Sequence, residues 1–153
     1  MFGSMPAKPS FSFDYAYATG GNGSSDLIHT FDPAYGSRAR FYGRMSIVTW
    51  SNISKPGFII ELSPLLEKMW IQMKYNSFYI PEPEECLILN TMKIIKGKHH
   101  LGDEADIYIS YQPSDAWQFT GVMGYFNPGD IEDINLRTPG DAFLFSLQIL
   151  FTL

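Results

Sequence analysis

The residues from Asp141 to Leu153 show the clearest alternation in the chain. Phe143, Phe145, Leu147, Ile149, Phe151 and Leu153 occupy one parity, and Ala142, Leu144, Ser146, Gln148, Leu150 and Thr152 the other. A strand sends successive side chains to opposite faces, whereas a helix would scatter these six apolar residues around its circumference. The segment therefore reads as a strand with one wholly apolar face.

Five further segments obey the same rule. Phe11, Phe13, Tyr15 and Tyr17 stand against Ser12, Asp14, Ala16 and Ala18, and Phe58, Ile60 and Leu62 share one parity downstream. Met69, Ile71, Met73, Tyr75 and Tyr79 oppose Gln72, Lys74 and Asn76, although Trp70 and Phe78 fall on the polar parity and break that pattern. Ala105, Ile107, Ile109 and Tyr111 oppose Asp106, Tyr108, Ser110 and Gln112, and Trp117, Phe119, Met123 and Tyr125 oppose Gln118, Thr120 and Gly124. The expectation is an all-β antiparallel meander of about six strands, near residues 9–19, 55–63, 68–79, 102–112, 116–127 and 141–153, in one domain.

The connections alternate as regularly as the strands. Ser63 to Lys68 and Pro113 to Asp115 are short, whereas the gaps near 20–54, 80–101 and 128–140 are long. Outer-membrane barrels have short turns on the periplasmic side and long loops outside, so these strands are expected to be transmembrane and all consistently oriented. Trp117 to Tyr125 and Phe143 to Phe151 each span eight residues on one face. At strand rise that is about 26 Å, or ~20 Å of depth at a usual tilt, which approaches the spacing of two aromatic girdles. A soluble antiparallel β-domain that binds a ligand is the alternative, with the same apolar face turned into a core. Its second face would normally be rich in Lys and Glu, whereas here it is largely Ala, Ser, Gln, Thr and Gly.

Composition narrows the field. A net charge of −5 and the absence of any Lys/Arg run argue against nucleic acid as a partner. No window approaches the ~20 apolar residues of a membrane helix. Cys86 is the single cysteine, so there is no intrachain disulfide and no cysteine metal spacing. Neither G-x-S-x-G nor H-E-x-x-H occurs, and no enzymatic activity, cofactor or metal is expected. The adjacent His99 and His100 cannot readily converge on one ion with Asp103 and Glu104.

Four stretches, in order, resemble the alginate-export domain family of bacterial outer-membrane β-barrel porins. They are Phe13-Asp14-Tyr15-Ala16-Tyr17-Ala18-Thr19-Gly20, Thr30-Phe31-Asp32-Pro33, Lys74-Tyr75-Asn76-Ser77-Phe78-Tyr79, and Gly124-Tyr125-Phe126-Asn127-Pro128-Gly129-Asp130 leading into the terminal strand. The resemblance implies a large barrel, of about eighteen strands, that passes an anionic polysaccharide or another polar solute across the outer membrane. It makes this chain the C-terminal section, with outer-membrane lipid as its surroundings and the barrel-insertion machinery as the reader of its last strand. That strand ends in Leu153 where the family usually has Phe. Closure would need upstream strands or further copies. Met1 to Ser10 lacks the pattern of a cleavable export signal, so the expectation is a fragmentary or truncated barrel, which has no independent function unless completed.

Transport needs only charge and size along the passage. The candidate pore-lining or substrate-facing residues are Asp14, Arg38, Arg40, Arg44, Lys74, Asn76, Asp106 and Gln118. Lys74 lies mid-strand, where a charge facing lipid would cost roughly 2–4 kcal/mol, so it is expected to face the lumen. A structural ion pair with Asp14 or Asp106 would explain it equally well. Arg38, Arg40 and Arg44 sit beside Phe41 and Tyr42 in the first long connection, where guanidinium forks could meet carboxylates of an anionic solute. Ordinary solvated loop charge is the plainer account of the three.

Overall fold

A computed structural model describes residues 8–20, 31, 43–47, 51–63, 68–82, 87–89, 92–94, 97–133 and 140–152. In chain order the strands are β1 (Lys8–Ala18), β2 (Ile53–Ser63), β3 (Met69–Tyr79), β4 (Leu87–Leu89), β5 (Met92–Ile94), β6 (His100–Ser114), β7 (Trp117–Pro128), β8 (Ile131–Asp133) and β9 (Ala142–Phe151). Six form one antiparallel meander in the order β1-β2-β3-β6-β7-β9. The sheet is open, with β1 and β9 at its edges. The described residues contain no helix.

The register aligns like with like. One row across all six strands reads Phe11, Ile60, Met73, Ile107, Met123 and Phe145, and the next reads Phe13, Phe58, Tyr75, Ala105, Tyr125 and Phe143. The rows between them, on the other face, are Ser12, Ile59, Lys74, Asp106, Gly124 and Leu144, then Asp14, Gly57, Asn76, Glu104, Phe126 and Ala142. A slip of one residue in β1, β2, β3 or β6 would set a charge among the apolar rows, so the alternation itself specifies the pairing there.

Burial runs opposite to that of a water-soluble sheet. Phe11, Phe145 and Phe143 are 75%, 73% and 79% exposed, whereas Lys55 and Glu104 are both at 0%. The described core is small: Ala18, Ile53, Phe78, Ile80, Leu101, Phe126 and Ile131, with Met45, Ile47, Ala16 and Ala142 packed against it. It draws on the strand ends from which the long connections leave.

The strand bounds differ from the sequence reading in detail. β2 begins at Ile53, just after Asn52, whose positive φ of 52° turns the chain into the strand, and β6 runs from His100 to Ser114. In β3 the two aromatic residues that break the pattern do not break the strand. Phe78 fills the core, and Trp70 packs its ring edge-on against Tyr108 at 5.0 Å, so this face carries aromatic rings as well as charge. The connections near 80–101 and 128–140 also hold structure of their own, because β4, β5 and β8 make a second, three-stranded sheet that ties the two together.

Candidate functional site

Charged side chains gather where β1, β2, β3 and β6 present their polar face. Asp14 is the acceptor at the centre: its Oδ2 receives Lys55 Nζ at 2.5 Å and Lys74 Nζ at 3.3 Å. Lys55 also donates to Asn76 Oδ1 at 3.1 Å. Asp14 stands directly opposite Gly57, while Lys55 is opposite Ala16, so the ion pair runs diagonally across the β1–β2 ladder. Gly57 makes room for it, because a Cβ there would lie 2.3 Å from Asp14 Oδ1 and 2.7 Å from Asn76 Oδ1.

One strand over, Glu104 and Asp106 lie two residues apart on β6 and are both buried. Their described partners come from a connection rather than a strand. Met45 N–H donates to Glu104 Oε1 at 3.0 Å and Arg44 N–H to Asp106 Oδ2 at 3.2 Å. The Arg44 side chain turns along the sheet, donating from Nη2 to Gln72 Oε1 at 3.3 Å with its guanidinium 4.1 Å from the centre of the Tyr108 ring, a cation–π contact. Gln72 in turn donates to Glu61 Oε1 at 2.8 Å, and Ser10 Oγ donates to Glu61 Oε2 at 3.3 Å. The result is a polar strip reaching from β1 to β6.

The strip is only partly satisfied from within the chain. Asp14 Oδ1, Asn76 Nδ2, Glu104 Oε2 and Asp106 Oδ1 are buried and make no hydrogen bond to other parts of the protein. Buried polar groups are nearly always paired, so four open positions in one strip are more than a purely structural cluster would carry.

Of the residues singled out in the sequence, Asp14, Lys74, Asn76, Asp106 and Arg44 come together here. Lys74 lies on the polar face, as expected, and its ion pair is with Asp14. Gln118 stands apart, donating to Ser110 Oγ at 3.3 Å on the β6–β7 pair. Arg38 and Arg40 lie outside the described residues. Lys55 and Glu104 were missed as members of the strip. Lys55 lies three residues before Phe58, on the parity opposite that strand's apolar set, and Glu104 lies two before Asp106, so carrying the period of two backwards would have found both.

Outside this strip, two hollows lie on the apolar face. One, of about 490 Å³, is lined by Ala105, Ile107, Met123, Tyr125, Phe143 and Phe145 among others. No family model matches the chain, and neither a curated protein nor a solved structure matches it.

Proposed function

We propose that this chain is the C-terminal section of an outer-membrane β-barrel pore. The observation that carries the reading is the inversion of the sheet: phenylalanines in open rows outside, lysine and glutamate buried on the reverse. Exposing a large apolar side chain to water forfeits about 1.5–3 kcal/mol, and a monomeric soluble protein rarely leaves so broad a patch bare. In hydrocarbon the same rows are the favourable surface.

The distribution along the strands supports the same environment. Tyr15, Tyr17, Tyr79 and Tyr125 lie toward the end with long connections, and Tyr111, Trp117 and Phe151 toward the end with short turns. Ile60, Met73, Ile107, Met123 and Leu147 fill the rows between. Amphipathic rings at both margins of an apolar band, in which Phe11 and Phe145 share the middle row, match the two interfaces of a bilayer. An open sheet edge is not tolerated in hydrocarbon, so β1 and β9 must pair with upstream strands or with other copies, and the terminal strand would engage the insertion machinery.

On this reading the polar face lines the passage. Lys74 and Arg44 supply the cationic groups that would meet an anionic, polysaccharide-like solute of the kind the alginate-export resemblance implies, and Asp14, Lys55, Glu104 and Asp106 hold them in place or balance them. The test is heat-modifiable migration of the full-length gene product after extraction from outer membranes, followed by conductance in planar bilayers. A folded monomer recovered from the soluble fraction without detergent would overturn the proposal.

A further inference from the structure

The connection between β1 and β2 joins adjacent strands, yet residues 43–47 make contacts further along the sheet. They reach Glu104 and Asp106 on β6 and approach Gly124 on β7. From β2 to β7 is three strand spacings, about 14 Å across the sheet. Nothing in closing a β1–β2 hairpin requires that excursion.

The landing place is shaped for the segment. At Gly124 an added Cβ would stand 2.7 Å from Met45 Cγ and 3.1 Å from its Sδ, so the missing side chain on β7 is the notch in which Met45 sits. At Gly43 the backbone adopts φ +116°, and a Cβ would lie 2.3 Å from Glu104 Oε1. Two glycines, one on each partner, thus allow backbone and sheet to approach. The two backbone N–H groups then clamp the two carboxylates, and Arg44 reaches Gln72 and Tyr108 beyond them.

We propose that residues 43–47 form a seated plug over the polar face, with Met45 in the Gly124 notch as its positioning contact and the Glu104–Asp106 carboxylates as its latch. The inference rests on the polar face being the wall of a pore. Material held over that wall by two carboxylates and one notch subtracts from the bore, and releasing it widens the passage without altering any strand.

Docking and transport are tested separately. In a C86S background of the full-length protein, a Met45→Cys/Gly124→Cys pair is expected to cross-link within one chain on mild oxidation, seen as a mobility shift that reductant reverses. In bilayers, Gly124→Val, which fills the notch, and Met45→Gly, which empties it, are each expected to raise unit conductance about twofold or more, while the oxidised cysteine pair stays at the wild-type level. Failure of the pair to cross-link in folded protein overturns the plug. So does a cross-link accompanied by unchanged conductance in both notch variants. A protein that cross-links but forms no channel at all overturns the pore reading, and with it the plug's role, while leaving the docking measurement standing.

Discussion

Lys55 and Asp14 form the shortest ion pair of the described structure, 2.5 Å from Nζ to Oδ2, and they do so diagonally across a side-chain gap left by Gly57. Lys55 has no exposed surface, whereas Asp14 is about one third exposed and shared with Lys74. The two lysines therefore play unequal parts. Removing Lys55 leaves a carboxylate and the Asn76 carbonyl oxygen short of a buried donor, while removing Lys74 leaves the inner pair intact.

Accordingly, Lys55→Met is expected to destabilise the folded protein by about 3 kcal/mol, the lower end of the range for breaking a buried pair, because Lys74 remains beside Asp14. Lys74→Met should cost about 1 kcal/mol. Urea midpoints for folding into lipid or detergent check the order, and equal losses from the two variants would contradict it.

Neighbouring residues on β9 give a test of environment by sign. Phe145 stands on the apolar face and Ser146 on the reverse. Phe145→Arg is expected to cost about 2–4 kcal/mol if the band lies in hydrocarbon, while Ser146→Arg is tolerated. If Phe145 faced water, arginine there would be neutral or favourable, so the sign of the change in a lipid-refolding titration decides.

Trp117 packs 4.6 Å from Phe151 and 6.1 Å from Phe119, at the end of the sheet bearing the short turns. With the other two tryptophans replaced by phenylalanine, its fluorescence should be quenched more strongly by lipids brominated near the headgroup than by lipids brominated near the chain terminus. The reverse ranking, or no quenching by either, would remove Trp117 from the interfacial belt.

Charge reversal on the polar face reports on the passage. Arg44→Glu and Lys74→Glu are each expected to shift the bilayer reversal potential toward cation selectivity, whereas Lys98→Glu, exposed and outside the strands, leaves it near the wild-type value. Equal shifts from all three would indicate a general surface-charge effect in place of a lined passage.

Period-two alternation determined most of the sheet. Phe143 to Phe151 fixed the apolar face of β9 because a strand has only two faces, and the same arithmetic placed Asp14, Lys74, Asn76 and Asp106 on the reverse. The six alternating segments, taken in chain order, likewise anticipated the antiparallel meander. What the linear chain withheld were encounters set by register and by folded connections. Whether Lys74 would pair with Asp14 or Asp106 depended on where Gly57 left space, since Asp106 is the residue directly opposite Lys74 and yet Asp14, two strands away, receives its Nζ. Phe78 looked like a flaw in β3 until Ile80, Leu101 and Phe126 gathered around it. Arg44 gave no sign in its own neighbourhood that its backbone would rest on β6, because local pattern carries no information about how far a long connection travels. Only the tertiary structure decided that, through the open notch at Gly124 and the carboxylates of Glu104 and Asp106 waiting for N–H donors.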